Sequence, residues 1–138
     1  MYIRELMDEA DLDQALKSGL VSKRKHPKFP IYILNYTAAA QYNWVWTPVT
    51  LNCRGLVVDE DNNIVARSFP KFFSYEQLDG KLPPGTFVVE EKLDGSMLML
   101  FRYHDTLVRY CHLCNLFKPS QWYELYNTPY GVWEEKIV

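Results

Sequence analysis

Two runs of β-forming residues, Leu56-Val57-Val58-Asp59 and Ile64-Val65-Ala66-Arg67, stand on either side of Glu60-Asp61-Asn62-Asn63. Short apolar runs around a polar, Asp/Asn-rich break constrain the chain to an antiparallel hairpin. The same signature recurs along the sequence. Ile31-Tyr32-Ile33-Leu34-Asn35-Tyr36 is dense in β-formers and reads as a strand. Beyond the break at Leu82-Pro83-Pro84-Gly85, Thr86–Lys92 and Ser96–Tyr103 read as two strands about a tight Leu93-Asp94-Gly95 turn, and Thr106–Cys111 as another. Helical signals are fewer. Leu6, Met7, Ala10, Ala15 and Leu16 recur at near-helical spacing, which predicts an amphipathic helix from Glu5 to Leu20. Ala38-Ala39-Ala40 reads as a short helical turn and Gln121–Tyr126 as a short helix, whereas Trp44–Pro48 carries no clear signal. The basic stretch Lys23–Lys28, ending among Pro27 and Pro30, reads as a loop. Hairpins in succession with few helices define an α+β domain built on antiparallel sheet.

The chain has 138 residues, of which 48% are apolar and 15% aromatic, enough for one globular domain with a real core. A formal charge of −2 gives no global attraction to nucleic acid, so such binding would have to come from a local patch. Lys23, Arg24, Lys25, His26 and Lys28 form one basic cluster, which is expected to be a solvated loop. No apolar run approaches the roughly 20 residues of a membrane span, and the acidic N-terminus is expected to be neither a secretory signal nor a transit peptide. Three cysteines are poor material for a disulfide framework, so a reducing cytoplasm is the expected location. Cys111-His112-Leu113-Cys114 has zinc-knuckle spacing but lacks an evident second pair of ligands, and incidental thiols are the expected reading.

The residues that invite chemistry are Glu90-Glu91-Lys92-Leu93-Asp94-Gly95-Ser96. A lysine at the end of an apolar strand, followed by an Asp-Gly turn, is expected on rigid backbone at the edge of a cleft. Gly95 there allows positive φ and close approach of a ligand. A lysine is a nucleophile only when deprotonated, which burial or neighbouring cations favour. An isolated Lys-x-Asp-Gly is more often a solvated lysine beside a turn, so its neighbourhood decides.

Upstream stand Asn52-Cys53-Arg54-Gly55-Leu56-Val57-Val58-Asp59 and then Ile64-Val65-Ala66-Arg67-Ser68-Phe69-Pro70-Lys71-Phe72-Phe73-Ser74. In this order and spacing, together with the Lys92 turn, the chain resembles the N-terminal half of phage-type ATP-dependent RNA ligases, members of the covalent nucleotidyltransferase superfamily. That family carries an Arg-Gly strand and an Arg-x-Phe-x-Lys-Phe-Phe segment ahead of Lys-x-Asp-Gly, and the resemblance covers roughly Tyr32 to Tyr103. It implies an antiparallel-sheet nucleotidyltransferase half-domain, ATP-grasp-like and truncated. It implies that Lys92 attacks the α-phosphate of ATP, with Mg2+ assisting, and holds AMP as a phosphoramide. AMP then passes to an RNA 5′-phosphate, and a 3′-hydroxyl displaces it. Asp94 matches the motif acid, Gly95 shapes the turn and Glu90 lies where the superfamily meets the adenine. Arg54 matches an arginine near the ribose and phosphate, and Lys71 a basic residue near the phosphates. Phe73 or Phe72 is placed against the nucleotide, and Tyr36 near the triphosphate. Lys71 and Arg54 would also lower the pKa of Lys92, since nucleotidyl transfer depends on positioning and on neutralising charge.

After about Leu107 the resemblance stops, which divides the chain into residues 1–108 and a divergent tail, 109–138. The family's later Glu-Gly and Lys-x-Lys motifs, which supply metal ligands and phosphate-gripping lysines, do not follow. Expected explanations are a truncated or frameshifted product, a split ligase completed by a second chain, or a mini-domain that binds nucleotide or RNA without sealing. DNA ligases and mRNA-capping guanylyltransferases share Lys-x-Asp-Gly. The Arg67–Phe73 segment, and Ser96 where many DNA ligases carry arginine, favour the RNA ligase branch.

Overall fold

A computed structural model describes residues 1–81, 84–92, 97–112, 121–127 and 133–137. Among these described residues eight strands form two antiparallel meanders. The first sheet orders β1 (Val21–Lys25), β2 (Ile31–Tyr36), β3 (Arg54–Asp59) and β4 (Ile64–Ala66), each hydrogen-bonded to the next. The second orders β5 (Met97–Tyr103), β6 (Thr106–His112), β7 (Gln121–Asn127) and β8 (Trp133–Ile137) in the same way. Three helices, α1 (Glu9–Lys17), α2 (Ala38–Tyr42) and α3 (Pro48–Asn52), belong to the first half of the chain. The molecule is therefore α+β on antiparallel sheet. Among the described residues no helix is long and apolar enough to cross a membrane.

The expected hairpin is β3–β4. Asp59 closes its turn: Oδ1 accepts from the amides of Asp61 (2.9 Å) and Asn63 (2.8 Å), which holds the polar break in one conformation. The expected opening helix is shorter than Glu5–Leu20. A 3-10 turn covers Ile3–Glu5, and Asp8, in extended conformation, caps α1 by accepting from Ala10 N at 2.8 Å. At the other end Gly19 takes φ +73°, Gly19 N donates to Leu16 O and Leu20 N to Ala15 O. That pair of bonds is a Schellman motif, and it ends the helix before Leu20.

Three sequence expectations need correction. The Lys23–Lys28 stretch is not simply a loop: Val21–Lys25 is a strand paired in register with β2, Val21 entering the core while Lys23, Arg24 and Lys25 stay exposed. A charged outer strand is tolerated there because only Val21 needs burial, and exposed lysines guard a sheet edge against further pairing. Gln121–Tyr126 is strand rather than helix, since β6 offers a pairing partner and aromatic residues suit a pleated surface. Conversely, residues 86–92 form no strand; Phe87, Val88 and Val89 are exposed, the two valines at 84%. β-propensity without a paired neighbour does not make a strand. The Leu93-Asp94-Gly95 turn lies outside the described residues. The division expected at 108/109 falls inside β6, and β7 and β8 come from the tail.

β2 and β3 are buried on both faces, which explains their unbroken apolar sequence. Leu34, Leu56 and Val58 face a core completed by Ile3, Met7, Leu12, Ala15, Val49 and Cys53 of the helical layer. Ile31, Ile33 and Val57 face the other way and pack with Met99, Val108 and Tyr110 of the second sheet. Asn35 joins the two sheets where the β2–β3 register shifts. Its Oδ1 accepts from Gly55 N at 2.7 Å, and its Nδ2 donates to the Tyr110 hydroxyl at 3.1 Å. Gly55 sits at φ +69°, a conformation that favours glycine and opens the bulge Asn35 fills. Removing the Asn35 amide takes the side-chain acceptor from the buried Gly55 N–H and cuts the bond to Tyr110, so Asn35→Ala should lose about 1–3 kcal/mol in urea unfolding and Tyr110→Phe about 1 kcal/mol. Losses below about 0.5 kcal/mol for both would show that the junction does not hold the sheets together.

Candidate functional site

After β4 the chain turns back along the beginning of β3, and three bonds hold it there. Ser68 Oγ donates to Arg54 O, Arg54 Nη1 donates to Phe69 O at 3.2 Å, and Lys71 N donates to Leu51 O in α3 at 2.8 Å. The segment Phe69-Pro70-Lys71-Phe72-Phe73 then contributes to two surfaces. Phe69, Pro70, Lys71 and Phe72 line a cleft of about 550 Å³ that, among the described residues, Glu90, Glu91 and Lys92 also line. Segments some twenty residues apart in sequence thus meet across one opening, with two cations and two carboxylates on its walls.

Arg54 adjoins this cleft. Its guanidinium stacks over the Phe72 ring at 5.2 Å, which fixes a half-buried cation beside the cleft lining. On the second surface, Phe73 meets Trp44 (ring centroids 5.3 Å apart) and Trp46 (5.4 Å), and Trp46 meets Tyr36 edge-on at 5.2 Å. Lys71 belongs to both surfaces: its Nζ stands 5.0 Å from the Phe73 centroid and 5.4 Å from that of Trp46. Partial burial among these rings, then the nearby Arg54 charge, lowers the Lys71 pKa below the usual lysine value. A neighbouring anion would oppose this shift by favouring the charged amine.

Of the residues singled out from the sequence, Lys71, Glu90 and Lys92 share the cleft, Arg54 borders it, and Phe73 and Tyr36 reach it through Lys71 and Trp46. Asp94 and Gly95 lie outside the described residues, as does Cys114. Lys92 is exposed and is not carried on a strand, so its expected rigid support is replaced by a place on the cleft wall. Sequence reasoning missed Trp44 and Trp46. They stand in the segment with no periodic signal, although their alternate spacing matches that of Lys71 and Phe73. The Trp46 indole N–H is buried with no acceptor among the described residues.

Set against known protein families, curated proteins and solved structures, the chain returns no match.

Cys53 immediately precedes Arg54 and is fully buried, which pushes its thiol up to about 12 from 9.0. A raised folded-state pKa supports stability below the unfolded value and withdraws that support above it. Stability should therefore fall as pH rises from about 9 toward 12. At pH 8 a thiol reagent should label Cys53 only after denaturation; rapid labelling of native protein would contradict its burial.

Proposed function

We propose that this chain is the nucleotide-binding, lysine-adenylating part of an ATP-dependent RNA ligase, with a nucleotidyltransferase-like fold. The observation that carries the reading is the meeting of Lys71, Glu90 and Lys92 on one cleft with Arg54 beside it. These are the residues through which the sequence resembles that family, and distant segments supply them.

In this reading the triphosphate lies along the Lys71 side of the cleft. Lys71 and Arg54 neutralise charge at the α- and β-phosphates, the principal requirement of nucleotidyl transfer. The Lys92 amine, having released a proton to solvent, attacks the α-phosphorus. A P–N bond forms, the bond from the α-phosphorus to the bridging oxygen breaks, and pyrophosphate leaves with the electron pair. Glu90 faces the adenosine portion. Phe72, flat beneath Arg54, offers the nucleotide an apolar wall. Magnesium commonly takes one or two carboxylates plus phosphate oxygens. Glu90 and Glu91 are the carboxylates at hand, and the ion would supply further charge neutralisation. An RNA 5′-phosphate is then the acceptor of AMP and a 3′-hydroxyl the final nucleophile, with any residues beyond the described cleft that these steps need supplied elsewhere.

Incubation with α-labelled ATP and magnesium should leave label on the denatured protein, and Lys92→Ala should abolish it. Lys71→Met and Arg54→Ala should each slow label uptake, on the order of 10²-fold, the usual effect of removing a charge-stabilising donor. Folded wild-type protein that takes no label, or a Lys92→Ala variant that still takes it, contradicts the reading. Replacing ATP by GTP should give little label; preference for GTP would move the chain to the capping class.

A further inference from the structure

Trp44 occupies a backbone position that suits glycine. Asn43 caps α2 at its C-terminus, Trp44 N donates to Gln41 O, and Val45 N donates to Ala40 O at 2.9 Å. These bonds form a Schellman motif, and Trp44 stands at its left-handed residue with φ +54°. For a bulky side chain that conformation is a strained outlier. The same motif after α1 uses Gly19. Burial does not account for the exception, because 54% of Trp44 remains exposed. Its indole rests edge-on against Trp46 at 6.0 Å and tilted against Phe73 at 5.3 Å, so neighbouring rings hold it in place while much of it faces solvent. The two rings it touches, Trp46 and Phe73, are also the rings Lys71 stands over, and the Trp46 N–H is buried with no acceptor among the described residues. Strain, exposure and a buried donor without an acceptor in one cluster argue for a ring kept for what it binds.

The chemistry around it selects the ligand. A flat aromatic surface next to a lysine matches a nucleobase joined to a phosphate, and aromatic stacking with a flanking cation is how single strands are gripped without reading their sequence. Trp44, Trp46 and Phe73 are not part of the cleft lining, whereas Lys71 belongs to both. A nucleotide filling the cleft therefore leaves the Trp44 surface free for a different base. We propose that Trp44 is a stacking platform for a base of single-stranded RNA whose adjoining phosphate meets Lys71. This deepens the ligase reading, on which the choice of RNA rests, by assigning the strand to be joined a place outside the nucleotide cleft.

The test is the binding of a 5′-phosphorylated single-stranded oligoribonucleotide to the full chain, followed by fluorescence anisotropy, with label uptake from α-labelled ATP measured separately on wild type. Trp44→Ala should weaken binding about tenfold, within the range for loss of one stacked base. Trp44→Phe should retain most of it. Trp44→Gly removes the ring while suiting the left-handed backbone, so it should melt at or above the wild-type temperature and bind as weakly as Trp44→Ala. Glycine and alanine variants that are folded and bind within about twofold of wild type would overturn the platform. So would a wild-type chain that does not bind the oligonucleotide at all. Binding that depends on Trp44 in a chain that takes no label upholds the platform and rejects the adenylation reading instead.

Discussion

Everything in this molecule is referred to the pairing of β2 with β3. Both strands are apolar on both faces, so the sheet they centre must be covered twice, by the helical layer on one side and by the second sheet on the other. The demand for cover fixes where α1 and α3 lie and what the β5–β6 hairpin packs against. Where the pair frays, at the bulge between Leu34 and Asn35, the core gives way to polar contacts. Arg54 starts β3 at that same end and Tyr36 ends β2 there, so the bulge also marks where the cleft begins.

The legible part of the fold was the part set by local chemistry. Asp59 and the following polar residues dictate a turn whatever surrounds them, and Ile31–Tyr36 has no comfortable alternative to a buried strand. What was not legible depended on partners distant in sequence. The basic Lys23–Lys25 run reads as a loop on composition, and becomes a strand because β2 lies alongside with an open edge. Residues 86–92 err in the opposite direction, since their valines suit a sheet and meet no strand. The end of α1 was signalled by Asp8 and Gly19, and periodicity alone overran both signals.

The site divides in the same way. Lys71, Glu90, Lys92 and Arg54 were singled out by motif, and the structure gathers them around one opening without any of the four being deeply buried. Their roles in adenylation are proposals that rest on the family resemblance. Trp44 and Trp46 escaped sequence reasoning because their segment has no period and their importance is conformational. Only φ at Trp44 and the ring contacts to Phe73 reveal that a tryptophan fills a glycine position next to Lys71. A bulky residue that contradicts its local backbone preference is where function is to be sought.

Two lysines line the cleft proposed for the nucleotide, so Lys71 is the chemical rival of Lys92 as nucleophile. The most direct measurement is therefore the position of the adduct. After reaction with ATP and magnesium, the protein would be digested and its peptides mapped by mass spectrometry for a lysine carrying AMP. Adenylation at Lys92 requires AMP there, with Lys71 unmodified. AMP on Lys71, or a folded protein carrying AMP on neither, would contradict it.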